Sequence, residues 1–208
     1  MQKLRDIQRI RNKIASDLHD DLGATLSSIS IMSELVNQEF RDQSPRASSL
    51  LEKIGSSSRN MIESVNDMVW AINPQNDNFE NIIKRMRTFG SEILSAKDIA
   101  FHFDFDKNLM QSKLKMDIRR NFYLIFKEAV NNIAKYSCAA NAFVTIWNRD
   151  TNLKMTIRDD GNGFETHTAK RGNGLINIQQ RAEIMKAHFN LKSVLGKGTT
   201  IELEFKNE

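Results

Sequence analysis

A chain of 208 residues, 40% hydrophobic and 27% charged, has enough apolar material to bury a core in one or two domains. Its formal charge of +4 is uneven: residues 1–75 hold 9 Lys and Arg against 10 Asp and Glu, and residues 76–208 hold 21 against 16. An excess that diffuse argues against a nucleic-acid surface, which needs a concentrated basic stripe with interleaved aromatics, and suits a polyphosphate ligand equally well. The charge-free apolar-leaning run Leu22–Ser33 is broken by Gly23 and Thr25 and falls short of the ~20 residues of a membrane span. Met1–Ile14 mixes charges with aliphatics and lacks the apolar centre of a signal peptide. Cys138, the single cysteine, has no partner for an internal disulfide and is expected to be a small buried filler in a reducing cytoplasm.

In chain order, aliphatics at Leu4, Ile7, Ile10, Ile14, Leu18, Leu22, Leu26, Ile29, Met32 and Val36 step by three and four, the signature of one long amphipathic helix. No capping Ser, Thr, Asp or Asn precedes its first apolar residue, so the helix is expected to continue upstream in a longer parent protein. Ser44-Pro45 offers a cap and a first-turn proline to a second helix, whose apolar residues run from Ala47 to Ile72 and stop before Pro74. Two long helices joined by a short turn form an antiparallel hairpin with one apolar stripe uncovered, and a four-helix bundle from two copies covers it. A homodimer is therefore expected.

Asn73–Asn78 is turn-rich and marks the expected boundary between residues 1–73 and residues 74–208. Beyond it the pattern predicts a helix at about Phe79–Ala96, a strand at Ile99–Phe105 and a helix at about Met116–Ser137. Strands at Ala142–Trp147 and Leu153–Arg158 follow, then a glycine-rich loop, a helix to about Ala187, and a hairpin of Phe189–Val194 with Thr199–Phe205. The fold class is α+β: a long helical hairpin followed by an α/β sandwich.

Three blocks in the second part carry chemistry. Glu128 and Asn132, four apart on one helical face, combine a carboxylate with an amide oxygen, a sound pair for a hard cation, and Lys135 beside them suits phosphate. The same spacing also makes an ordinary solvated face, although Asn132 is a poor helix former. Asp159-Asp-Gly-Asn-Gly163 follows a strand and permits a sharp reversal with close ligand approach, or else is a plain Asp-Gly turn. Lys170-Arg-Gly172-Asn-Gly174-Leu175 opens a helix, where backbone N–H groups favour phosphate, or is a routine mobile loop. Gly196-Lys-Gly198-Thr199 reads equally as a hairpin turn. Near the N-terminus, Asp17-Leu-His19-Asp20-Asp21 places a histidine beside acids on a helix, with Ala15 and Gly23 four residues away on its own face. Gly23 inside a helix costs roughly 1 kcal/mol against Ala, explained either by access to His19 or by close helix packing.

In this order the blocks resemble the Bergerat-fold (GHKL) ATPases and, within them, the sensor histidine kinases of the subfamily that includes the nitrate sensors. Asp17–Gly23 is similar to the phosphoacceptor box, Glu128–Lys135 to the N box, Asp159–Gly163 to the first glycine box, and Gly172–Leu175 with Arg181 to the second. Gly198-Thr199 matches the last strands, and Val69-Trp-Ala-Ile-Asn-Pro74 is also familiar from this subfamily. The resemblance implies that His19 accepts the γ-phosphoryl group of ATP, with Asp20 orienting or deprotonating the ring. It implies that Asn132, with Glu128, holds Mg²⁺ and that Lys135 contacts phosphate. Asp159 would recognise the adenine amino group with help from Thr199, and Gly161, Gly163, Gly172 and Gly174, with Leu175, would shape a lid. The implied protein is a cytoplasmic, membrane-linked kinase that passes phosphate to the receiver domain of a response regulator. Two positions depart from the family pattern. Ala24 stands where Gln or His is common and is linked to dephosphorylation of the partner, and Tyr136 replaces a frequent His.

Overall fold

The computed structural model describes residues 11, 22–40, 44–149, 151–166 and 173–206. They fall into two compact units, 1–76 and 77–208.

The first unit is a helical hairpin of α1 (Gly23–Phe40) and α2 (Pro45–Ile72). Ser44 caps α2 by accepting from the Ala47 N–H at 3.4 Å, and Pro45 opens the first turn, where its missing donor costs nothing. The buried positions along α2 are mostly small, with Gly55, Ser58 and Ala71 among them, and Ser33 is buried on α1. Polar rungs cross between the helices: Ser48 Oγ donates to Asn37 Oδ1 at 2.6 Å and Arg59 Nη1 to Ser30 Oγ at 3.1 Å. The large apolar side chains point elsewhere. Ile31, Met32 and Leu35 on α1 are 59–64% exposed, and Leu50, Ile54 and Met61 on α2 are exposed too. A Cβ added at Gly23 meets nothing within 4 Å, so packing within the described hairpin does not call for glycine there. A short 3₁₀ turn, Pro74–Asn76, closes the unit, with Asn76 Nδ2 donating back to Trp70 O at 2.9 Å.

The second unit contains α3 (Phe79–Ser95), β1 (Ala100–Phe105), α4 (Met116–Asn132), β2 (Asn141–Arg149), β3 (Asn152–Asp159), α5 (Asn173–Ile184), β4 (His188–Ser193) and β5 (Thr199–Lys206). The five strands form one sheet in the order β1-β2-β3-β5-β4, parallel at β1/β2 and antiparallel elsewhere. Leu153, Met155 and Ile157 of β3 alternate inward beside Ile201, Leu203 and Phe205 of β5. Phe79, Met86, Phe122, Ile125 and Phe126 of α3 and α4 complete a core of fully buried apolar side chains, each contributing about 1.5–3 kcal/mol of burial. This is one helical layer on one face of a mixed sheet. The opposite face carries His102 stacked on Phe143 at 4.7 Å and the Arg158 guanidinium 4.7 Å above the same ring.

Three features differ from the expectations. Lys107–Gln111 forms a 3₁₀ turn, nucleated by Asp106 Oδ1 accepting from the Asn108 N–H and sealed by the buried Leu109. The predicted helix 116–137 is regular only to Asn132 and ends in one π turn, Ile133–Ser137. Cys138 is exposed, correcting its expected burial. It sits in the left-handed region (φ 51°) where the chain leaves that turn, so its side chain is directed off the core.

Candidate functional site

The C-terminal end of α4 and its π turn, the ends of β3 and β5 and the start of α5 enclose an open pocket of about 640 Å³. Glu128, Asn132, Lys135, Asp159, Gly163, Gly174, Leu175 and Thr199 all line it. Four separate stretches of sequence thus converge. Ile157 and Ile201, inward-facing neighbours across β3 and β5, supply apolar wall.

The π turn is held by Ser137, whose Oγ donates to Ile133 O at 2.8 Å and accepts from the Ala139 N–H at 3.0 Å. Its wider spiral brings Lys135 and Tyr136 to the pocket, the latter 74% exposed. The Ser137 carbonyl accepts from the Asn162 N–H at 2.7 Å, so the loop after β3 lies directly on the turn. At Gly161 a Cβ would sit 2.2 Å from that carbonyl oxygen, which admits only glycine. Gly161 lies beneath the pocket and is not part of its lining. Gly163 needs glycine twice over: its φ is +58°, and a Cβ would come within 2.1 Å of Val194 O.

Asp159 and Asp160 part company at the strand end, as the period of two dictates. Asp159 continues the inward series and is 4% exposed, with Oδ1 accepting from the Gly161 N–H at 2.9 Å. Burial pushes its carboxyl above the ordinary value, while the Gly161 and Thr199 N–H groups pull it back. Asp160 turns outward. Its carboxylate accepts from Asn141 Nδ2 and from the N–H groups of Asn141 and Ala140, and these bonds, the Asn141 side chain foremost, hold it below the usual carboxylate range. It pins the start of β2 and lies outside the pocket lining. Thr199 Oγ1 lies 3.0 Å from Ser193 Oγ, which also accepts from the Phe164 N–H at 2.9 Å.

Glu128 and Asn132 border one point: a Cβ on Gly174 would lie 2.1 Å from Glu128 Oε1 and 3.3 Å from the Asn132 amide nitrogen. A carboxylate and an amide within reach of one small volume are the donors a hard cation takes, and Mg²⁺ completes its shell with water and phosphate oxygens. Among the described residues no group of three or more His, Cys, Asp and Glu side chains could hold a metal alone. The residues present therefore fit a partial Mg²⁺ set.

His19, Asp20 and Gly172 lie outside the described residues. The sequence reading missed Ser193, Phe164 and Ile201. The Ser193–Thr199 pairing follows from the β4/β5 register and was legible only once the turn length was known.

The family described as "Histidine kinase" matches residues 11–77, and "Histidine kinase-, DNA gyrase B-, and HSP90-like ATPase" matches residues 117–208. Sensor histidine kinase YdfH of Bacillus subtilis (strain 168) is 25% identical over 202 residues, covering 95% of this chain and 49% of its own length. The signal transduction histidine-protein kinase/phosphatase UhpB of Salmonella typhimurium (strain LT2) is 22% identical over 199 residues, covering 94% of this chain and 39% of its own. The chain thus spans half or less of these curated relatives. Among solved structures, the histidine kinase domain of the Erythrobacter litoralis EL346 blue-light activated histidine kinase matches with a TM-score of 0.58 at 14% identity, covering 100% of this chain and 95% of that one, a likeness of fold. With its helical segment and its ATPase segment matched in order, the chain belongs to the sensor histidine kinases.

Proposed function

We propose that this chain is the kinase core of a two-component sensor: residues 1–73 dimerise and carry the phosphoacceptor His19, and residues 74–208 bind ATP and phosphorylate it. The observation that supports this most is the convergence of Glu128, Asn132, Lys135, Asp159, Gly174 and Thr199 on one pocket. Asp159, buried and held by two backbone N–H groups, offers an acceptor to the adenine amino group, with Thr199 beside it. Lys135 meets the phosphates as a mobile point charge. Glu128 and Asn132 would hold Mg²⁺, which when bound neutralises charge on the β- and γ-phosphates. The imidazole of His19 supplies the electron pair that forms the N–P bond as the bond to the ADP oxygen breaks, and Asp20 orients the ring or takes its proton. The phosphoryl group then passes from the nitrogen to an aspartate oxygen on the receiver domain of a response regulator.

The exposed apolar row Ile31, Met32, Leu35, Leu50, Ile54 and Met61 supports a homodimer in which a second hairpin covers it. No described helix is long and apolar enough to cross a membrane. Work in the cytoplasm, within a membrane-linked parent, fits the reading. Ala24 is exposed and carries no polar side chain where the family commonly has Gln or His, so the reading covers loading and delivery of phosphate and not its removal.

The test is labelling with γ-³²P ATP. Wild type is expected to incorporate an acid-labile, base-stable label that His19→Gln abolishes, and label surviving in His19→Gln would sink the proposal.

A further inference from the structure

Helices α4 and α5 meet through two polar rungs spaced seven residues apart on each helix and running in opposite directions. At one rung the Gly174 backbone lies against the Glu128 carboxylate, at the pocket. At the other, two turns and about 10 Å further along, Arg181 Nη1 donates to Asn121 Oδ1 at 3.2 Å. Asn121 is buried, and its amide nitrogen donates to Asp117 O at 2.9 Å, so its oxygen is already oriented for the guanidinium.

This second rung is a costly way to hold two helices together. Arg181 is partly desolvated and stands near Arg120, and both effects oppose its charge, while the charge of Glu128 favours it. Arg120 has a buried Nε with no hydrogen-bond partner, and no described carboxylate forms an ion pair with either guanidinium. Apolar residues of similar size would pack the seam at lower cost. What a guanidinium fork on a fixed amide oxygen supplies is register, because the bond forms at only one relative sliding of the helices.

We propose that Arg181 is a positioning residue for the phosphate end of the nucleotide site. Its bond to Asn121 sets the register of α5 on α4, and that register holds Gly174 and Leu175 against Glu128 and Asn132. The inference rests on the reading of the pocket as a Mg²⁺-ATP site. It makes a directional prediction: loosening the rung disturbs the Glu128 and Asn132 end and leaves the Asp159 end, built from β3 and β5, as it was.

The experiment uses the full chain and compares Asn121→Leu, Asn121→Asp and Arg181→Gln for binding of Mg²⁺-ATP, binding of ADP in EDTA, and Tm. Asn121→Leu and Arg181→Gln are expected to weaken Mg²⁺-ATP by about tenfold, the order of one lost charge-assisted hydrogen bond. ADP in EDTA should bind as to wild type, and the Tm of the double variant Asn121→Leu/Arg181→Gln should be at or above that of Asn121→Leu, which leaves the Arg181 guanidinium without its acceptor. Asn121→Asp, which keeps the acceptor, should retain Mg²⁺-ATP affinity, and the double variant Asn121→Leu/Arg181→Gln should be no worse than either single. Equal loss of both nucleotides, wild-type Mg²⁺-ATP binding by Asn121→Leu, or failure of Asn121→Asp to rescue each overturns the inference. Wild type that binds neither nucleotide overturns the pocket reading, and this inference with it. Should Asn121→Leu not fold, Arg181→Gln against Arg181→Lys carries the same comparison, with Lys retaining more affinity.

Discussion

Asp159 carries opposed demands. In the proposed role as adenine acceptor its carboxylate accepts most strongly when ionised, yet burial raises its pKa above the ordinary 3.8. A raised folded-state value means the native protein binds this proton more tightly than the unfolded chain does. The group's contribution to stability is then greatest below pH 3.8 and falls as pH rises through the raised value, leaving a standing cost at neutral pH. Asp159→Asn removes that cost while keeping an acceptor for Gly161. Melts at pH 4 and pH 7 should show equal or greater stability at pH 7 and a flatter pH dependence, and nucleotide titration should show at least roughly tenfold weaker binding. Lower stability at pH 7 would contradict this account of the burial. Gly174 poses a related problem in sterics, since any side chain there displaces the Glu128 carboxylate.

At the scale of the element, α4 is fastened at both ends. Its first turns hold Arg119, fully buried and paired with Asp77, the first residue of the second unit. The pair, with the Phe79 N–H donating to Ser112 O at 3.0 Å, ties the start of the unit to its core. Removing one partner of a buried pair costs more than removing the charge. Asp77→Ala is therefore expected to lower stability by about 3 kcal/mol, and Arg119→Met by less, as measured by denaturant unfolding. The reverse order would show that Arg119 stabilises through packing of its stem. At the other end the π turn replaces the last regular turn. Nothing in the spacing of Asn132, Lys135 and Tyr136 announced it, because the turn is specified by Ser137 bonding Ile133 and by the loop from Gly161 resting on it.

For the whole molecule, the two compact units give separate stability questions. The pocket lies wholly within residues 77–208, so a nucleotide stabilises that unit by mass action, about 2.7 kcal/mol at a concentration one hundred times its Kd. Calorimetry with and without Mg²⁺-ATP should raise one transition and leave the hairpin transition in place. The hairpin transition should instead rise with protein concentration, because its exposed apolar row is expected to be covered by a second copy. A concentration-independent hairpin transition would argue against the homodimer.

Element types and most boundaries were legible in the residues themselves. Period 3.6 and period 2 report which face of its own element a residue occupies, Ser44-Pro45 and Pro74 punctuate the hairpin locally, and the alternation Leu153, Met155, Ile157 already aims Asp159 inward. What periodicity does not carry is the identity of the partner across a gap. The strand order β1-β2-β3-β5-β4, the seating of Gly161 on Ser137, the meeting of Ser193 with Thr199 and of Arg181 with Asn121, and the exposure of Cys138 depend on how distant elements pack. Such contacts are settled by the joint burial of faces from many segments, so only the tertiary structure decides them.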